Sequence, residues 1–487
     1  MKILVVAAEA VPFAKTGGLA DVAGVLPKVL ADLGHEVRVV MPRYWGVDRR
    51  ALAPVGGPLG VPMGIIGTQW GAVLEGRLPG SDVPVWFIDH EQYFGRKHPY
   101  NEADGTGYPD NDNRFVFLSR AALEAAKMLD FRPDVVHVHD WHTAAAPIFL
   151  NTVYAHDPFF AGTASVLTIH NLQYQGQFFS GLMDVLGVGW AHFNHLELAH
   201  HDQVNLLKGG LYHATLINAV SPTYAREIRT PEFGYGLEGV VRDRAWALRG
   251  ILNGVDYEDW NPAVDPHLPA HFDVGRMDGK AVCKAELQFE VGLPVRADVP
   301  VIGMVTRLVH QKGIDVLLDA LPEVLGWDVQ VVLLGSGERW AHEAIERLGA
   351  QGRRNFAYRL GYDDGLAHRI EAGSDLYVMP SRFEPCGLNQ IYSLRYGTPP
   401  IVHAVGGLHD TVDNYDAAHG TGTGFKFHHL SPGALRDTIG WAVHTWFERK
   451  ADFAALVERG MRQRFTWDHS ARAYLRLYED AIRRVRG

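Results

Sequence analysis

Residues 2–41 begin with Lys2-Ile3-Leu4-Val5-Val6-Ala7-Ala8-Glu9, pass through Lys15-Thr16-Gly17-Gly18-Leu19-Ala20-Asp21, and return as Val37-Arg38-Val39-Val40-Met41. The opening run is rich in β-branched and small apolar residues, the composition of a parallel strand covered on both faces. Leu19, Val22, Ala23, Leu26, Val29, Leu30 and Leu33 then recur at helical spacing, and Gly34 stops the helix. A strand, a helix and a second strand within 45 residues make a βαβ unit, so the chain is read as α/β. The pattern recurs with Asp134-Val135-Val136-His137-Val138-His139 and Val166-Leu167-Thr168-Ile169 as further strands. These place one doubly wound domain in the first half.

A second such domain follows residue 255. Val299 to Val305 is predicted as a strand, Ile314 to Leu325 as a helix, and Val329 to Leu334 as a strand running into Gly335-Ser336-Gly337. Residues 364–372 read as helix and Asp375 to Pro380 as strand. A helix is expected from Gly387 and a strand over Pro400 to Val405. Residues 261–280 carry Pro262, Pro266 and Pro269 and read as a linker. From Trp467 to Val485 an amphipathic face forms through Ala471, Tyr474, Leu475, Tyr478 and Ile482.

Composition narrows the function. A chain of 487 residues exceeds one core. Its net charge of −10, from 46 basic and 56 acidic residues, argues against a nucleic-acid surface but permits local basic pockets. Two cysteines, Cys283 and Cys386, make neither a disulfide framework nor a structural zinc set, and fit a reducing, cytoplasmic compartment. Glu9 interrupts the first apolar run too early for a signal peptide. No run approaches the ~18 apolar residues that span a membrane.

The chemistry-bearing residues cluster after the strands. Ligands of open α/β sheets bind at strand carboxyl ends. Gly17-Gly18 and Gly387 are placed where a strand yields to a helix, where backbone N–H groups can hold an anion. Taken singly, such glycines are more often structural. Arg307 and Lys312, in Thr306-Arg307-Leu308-Val309-His310-Gln311-Lys312-Gly313, add a guanidinium fork and an ammonium suited to two adjacent phosphoryl groups. Glu384 stands in Ser381-Arg382-Phe383-Glu384-Pro385-Cys386-Gly387-Leu388, following a strand. As a bland alternative, it complements a helix dipole. Cys386 at the same place is read as packing. Asp140-Trp141-His142 and His170-Asn171 each end a strand. Asp140, His142 and His170 include metal-binding residue types, but their spacing is no zinc signature.

Lys15-Thr16-Gly17-Gly18, the Arg307 to Gly313 loop and the Glu384-Pro385-Cys386-Gly387-Leu388 run together resemble bacterial glycogen synthases and plant starch synthases. The resemblance extends through most of the chain. It implies two Rossmann-like doubly wound domains facing a cleft, the GT-B arrangement. They would comprise residues 1–255, completed by a final helix over 467–487 that crosses back, and residues 256–466. Hinges are expected around residues 255–260 and near 465. The implied reaction moves glucose from ADP-glucose to the non-reducing-end 4-hydroxyl of an α-1,4-glucan, with retention and release of ADP. No metal or other cofactor is implied, and no membrane or nucleic-acid partner.

By the same resemblance Glu384, His170, Arg307 and Lys312 are catalytic. Glu384 either hydrogen-bonds the donor glucose or stabilises charge at its anomeric carbon. Lys15, Gly17, Gly18, Asn253, Tyr362, Cys386, Gly387, Leu388 and Asn389 bind the donor, with Tyr362 stacking on the base. Asp21, Tyr93, Asp140 and Asn171 lie on the acceptor side. Asn253, in Asn253-Gly254-Val255-Asp256, also reads simply as a turn. Asn389 departs from the threonine that some members place there to contact phosphate. A nicotinamide dehydrogenase would need Gly-x-Gly-x-x-Gly at the first turn, which is absent. A sucrose- or trehalose-type transferase shares the cations and the acid, but the two end motifs favour glucan synthesis. A non-enzymatic glucan binder would be expected to have lost a charged site residue, and Lys15, Arg307, Lys312 and Glu384 are all present. ADP and UDP donors are not distinguished by spacing.

Overall fold

Strand β1 (Lys2–Val6) is flanked on one side by β2 (Glu36–Pro42) and on the other by β6 (Val135–His139). The computed structural model describes all 487 residues, in two units: Met1–Gly254 with Trp467–Gly487, and Val255–Thr466. In the first unit β3 (Ala53–Pro62), β4 (Thr68–Arg77), β5 (Pro84–Asp89) and β7 (Ala164–Ile169) join the same sheet. A separate three-stranded sheet holds β8 (Gln177–Phe179), β9 (Ala199–His200) and β10 (Gln203–Asn205). β11 (Leu216–Ala219) and β12 (Leu248–Gly250) complete the large sheet, in the order β12-β11-β7-β6-β1-β2-β5-β4-β3.

Seven of these nine strands run parallel, and β4 and β3 add an antiparallel edge that sequence reading did not find. Ile3, Leu4, Val5 and Val6 are at most 1% exposed, as expected of a strand covered on both faces. The order changes direction between β1 and β6, a switch point of the kind beside which open α/β sheets bind ligands at the strand carboxyl ends.

The second unit is a parallel sheet of six strands: β13 (Val301–Leu308), β14 (Gln330–Gly337), β15 (Phe356–Leu360), β16 (Leu376–Met379), β17 (Pro400–His403) and β18 (Phe425–Phe427). Their order, β15-β14-β13-β16-β17-β18, switches between β13 and β16. There the loop after β13 meets the loop after β16. Gly313 sits at φ +67°, and a Cβ on it would lie 2.0 Å from Pro380 O, so both backbone conformation and contact require glycine.

Residues 261–280 are not a linker. They lie within the second unit, where Phe272 and Asp265 are 0% exposed and Leu268 packs with Cys283 and Tyr396. Prolines here disrupt regular backbone pairing without loosening the packing. The chain crosses between units at Gly254/Val255 and Thr466/Trp467. Val255 N–H donates to Phe465 O at 2.8 Å, so the two crossing strands are bonded together on the second unit's side.

Helix Trp467–Arg486 belongs to the first unit. Its buried face comprises Trp467, Ser470, Ala471, Tyr474, Leu477, Tyr478 and Ala481, at three- and four-residue steps. Leu475 and Ile482, expected on that face, are only half-buried at its margin. The seam carries polar anchors as well. Tyr478 OH is 2.8 Å from His137 Nδ1, Asn218 Nδ2 donates to Tyr474 OH at 3.0 Å, and Ser470 Oγ donates to Leu252 O at 2.6 Å. No helix is long and apolar enough to cross a membrane.

This seam sets the first expectation. Tyr478→Ala removes a ring that is 0% exposed and is expected to destabilise the first unit by about 3–5 kcal/mol. Tyr478→Phe loses only the hydroxyl contact and should cost about 1 kcal/mol. Urea unfolding of the two variants checks this, and equal midpoints would refute the packing argument.

Candidate functional site

In the first unit, the loop after β1 is fixed by a buried acid that sequence reading missed. Glu9 is 3% exposed and accepts hydrogen bonds from Thr16 Oγ1 at 2.9 Å, Thr16 N–H, and Tyr100 OH at 3.1 Å. Burial raises its pKa, and those same donors oppose the rise. The available signal was an acid ending an apolar strand six residues before a lysine-glycine run.

Glu9 thereby fixes the start of helix Gly18–Asp32, whose N-cap is Gly17 with no side-chain cap. A Cβ on Gly17 or Gly18 would meet no atom within 4 Å, so packing requires glycine at neither position. Lys15 Nζ reaches Asp21 Oδ1 at 2.8 Å, which joins two residues assigned separately from sequence.

Asp140 follows β6 with φ +52°, an uncommon conformation for a non-glycine residue. Its Oδ1 accepts from His170 N–H at 2.7 Å and Asn171 N–H at 3.4 Å, so it ties together the ends of β6 and β7. Burial pushes its pKa up to about 7 despite those two donors, and the charge of Glu9 adds to the rise.

His170 Nε2 lies 2.9 Å from His139 Nδ1. Burial and then His139 hold His170 well below its ordinary pKa, so it is neutral. Asn171 Oδ1 accepts from Gln173 N–H at 3.0 Å. Asn253 is 4% exposed and its Oδ1 has no hydrogen-bond partner. Tyr93 stacks on His90 at 4.3 Å and is 6% exposed, so its ring is part of an aromatic cluster with Phe117.

The second unit gathers the charged residues at its own switch point. Lys312 Nζ contacts Glu384 Oε2 at 2.6 Å, with side chains 15% and 8% exposed. Ser381 Oγ donates to the same oxygen at 2.9 Å. The two loops are bonded along their length. Arg382 N–H donates to Gln311 O at 2.8 Å, and Gln311 Nε2 donates to Phe383 O at 3.3 Å. Arg307 is exposed and its guanidinium forms no ion pair.

Gly387 does not open a helix. The helix is Asn389–Arg395, with Leu388 as N-cap, and Gly387 precedes it at φ +70°. A Cβ there would lie 2.4 Å from Gln390 Oε1, so the turn itself requires glycine. Gln390, another residue sequence reading missed, is fully buried and donates to Cys386 O and Gly387 O at 3.0 Å each. Cys386 is buried and forms no disulfide.

Asn389 corrects an expectation. Both hydrogens of its amide are used, on Val305 O at 2.7 Å and Tyr377 OH at 3.0 Å. What remains is an acceptor oxygen, so this side chain has no donor to offer a phosphate. Tyr362 is 80% exposed and its hydroxyl donates to Asp364 Oδ1 at 2.6 Å.

Residues 2–243 match the model of the starch synthase catalytic domain, and residues 288–455 that of glycosyl transferases group 1. Glycogen synthase 1 of Geobacter sulfurreducens is 58% identical over 489 residues, covering 100% of this chain and 97% of the relative. Glycogen synthase of Anaeromyxobacter dehalogenans is 49% identical, covering 98% and 99%. The catalytic domain of starch synthase IV from Arabidopsis thaliana, bound to ADP and acarbose, superposes with a TM-score of 0.89. It is 32% identical, with 99% of each chain covered.

Asp140 yields a pH expectation. Its folded pKa is raised, so its contribution to stability is complete below the unfolded value of about 4 and is lost as pH rises through about 7. Asp140→Asn keeps an acceptor for the His170 and Asn171 amides and removes the titration. Its stability relative to the parent should therefore rise between pH 4.5 and 7.5, by at most about 1.4 kcal/mol per pH unit. A pH-independent difference in urea midpoints would contradict the burial of this carboxylate.

Proposed function

Because this chain belongs to the bacterial glycogen synthase family, hexosyltransferases of GT-B type, we propose that it elongates an α-1,4-glucan with glucose from ADP-glucose. The observation that carries the residue assignments is the Lys312–Glu384 pair at the second unit's switch point. A lone buried carboxylate there would be costly, and Lys312 compensates it.

In this reading the glucan 4-hydroxyl oxygen bonds to the donor's anomeric carbon as the bond from that carbon to the diphosphate breaks. The departing oxygen takes the acceptor's proton, and attack on the same face retains configuration. Negative charge grows on the diphosphate, and Arg307 and Lys312 stabilise it. One Lys312 hydrogen points to Glu384 and two remain for phosphate oxygens. Oε2 of Glu384 is held by Lys312 and Ser381, which leaves Oε1 for a sugar hydroxyl or for charge at the anomeric carbon.

The amides at Gly387 and Gly18 complete the anion contacts, and neutral His170 meets the sugar through the face not turned to His139. Lys15, Gly17, Asn253, Tyr362, Cys386 and Leu388 stay with the donor set. Asn389 stays in it only as a brace for Tyr377 and Val305. Asp21, Asp140, Asn171 and Tyr93 stay on the acceptor side. ADP-glucose is a co-substrate, and no resident cofactor enters these steps. We place the reaction in the cytoplasm, which suits two buried cysteines that form no disulfide.

Incubation with glycogen and either ADP-glucose or UDP-glucose, with nucleotide release as readout, tests the activity. ADP release with glucan growth is expected. Silence with both donors, from folded protein, would overturn the reading. Arg307→Ala and Lys312→Ala should each lower turnover at least roughly tenfold, below the range typical for preorganised charge stabilisers. Glu384→Gln should abolish transfer with an unchanged circular-dichroism spectrum. Near-normal rates in any of the three would remove that residue from the mechanism.

A further inference from the structure

Helix Asp364–Gly373 carries Asp364 and His368 four residues apart, so both project from one face. The proline-rich segment after Trp260 brings His267 beside them. His267 Nε2 stands 4.0 Å from Asp364 Oδ2, and one ligand atom from each of the three residues lies within 4.8 Å of the others. A gap of 4.0 Å is too long for a hydrogen bond. Zinc bonds of about 2.0–2.2 Å at a tetrahedral angle separate two ligand atoms by about 3.3–3.6 Å. A side-chain adjustment of about half an ångström by these exposed residues therefore closes the pair on one ion.

The third residue is held ready from behind. His368 is 1% exposed, and its Nδ1 lies 2.8 Å from Asp265 Oδ2. Asp265 also accepts from Tyr396 OH at 2.5 Å and from His267 N–H at 2.9 Å. A carboxylate surrounded by donors fixes the hydrogen of His368 on Nδ1. The lone pair is then on Nε2, which forms no hydrogen bond. Trp260 stacks on the imidazole at 3.8 Å and 13°, which fixes the plane of that lone pair.

We propose that His267, His368 and Asp364 form a binding site for a divalent ion of the zinc class, with Asp265 as the carboxylate behind His368. An imidazole backed by a carboxylate is the arrangement that orients histidine ligands of zinc. Two imidazoles and one carboxylate are also a known three-ligand set for that ion, with a fourth position for water. The His267 and Asp364 side chains, 39% and 56% exposed, give the ion a way in. A second trio in the first unit, His192, Glu197 and His213, lacks this readiness. There Glu197 Oε2 accepts directly from His192 at 2.6 Å and His213 at 3.1 Å, so its ligand atoms already satisfy one another. The proposed ion ties the segment after Trp260 to helix Asp364–Gly373, and it takes no part in glucosyl transfer.

The test is a zinc titration of the full chain, stripped of metal beforehand, against a chromogenic chelator. One tight equivalent is expected. His267→Ala and Asp364→Asn, both at exposed positions, should each weaken it at least about tenfold, whereas Glu197→Gln should leave it unchanged. Zinc should also raise the melting temperature of the parent and not of His267→Ala. Absence of a tight equivalent, its persistence in both variants, or its loss in Glu197→Gln would each overturn the proposal.

Discussion

A parallel sheet covered on both faces keeps charge out of its strand centres and places it at the strand ends, and at a switch point the loops diverge from the carboxyl ends. Both units obey this constraint. In the first, Glu9, Asp140 and His170 follow β1, β6 and β7. In the second, Arg307 stands within the last residues of β13, not in the loop expected from sequence, while Lys312 follows β13 and Glu384 follows β16. Charges withdrawn from water in this way need partners, and each acid has them. Glu9 takes Thr16 and Tyr100, Asp140 takes two backbone amides, and Glu384 takes Lys312 and Ser381. The hydrogen bonds that compensate burial are also those that hold the loops still.

The same economy appears in how the loops are braced against one another. Gly313 admits the Pro380 carbonyl, and Gln390 holds the turn at Cys386 and Gly387. The acid, the ammonium and the amides at this switch point are therefore carried on one bonded framework, and little reorganisation remains for a ligand to induce.

Strands such as β1, β6 and β13 were legible because continuous apolar runs between glycine-rich turns admit few other readings. The β3–β4 edge was not, since Ala53–Pro62 is broken by glycine and proline and resembles a loop. Residues 261–280 failed for the opposite reason: composition reports backbone irregularity, not whether Phe272 and Asp265 find a core. On the final helix the period was right but the phase drifted, so Leu475 was chosen over Leu477. Motifs located the charged residues, yet partnership is a tertiary property. Nothing in the spacing announces that Lys312 grips Glu384, or that Asn389 uses both amide hydrogens internally.

The last twenty-one residues complete the first unit, through Tyr478 on His137 and Tyr474 on Asn218. A ribosome makes the first 254 residues of that unit and then more than two hundred others before it reaches the closing helix. At about 5–20 residues per second, the nascent first unit waits on the order of ten to forty seconds with the sheet face around His137 uncovered. The second unit is continuous in the chain and has no such wait. The order of synthesis is thus reversed in the order of completion: the half that emerges first is finished last, and it is the one a chaperone would need to shield.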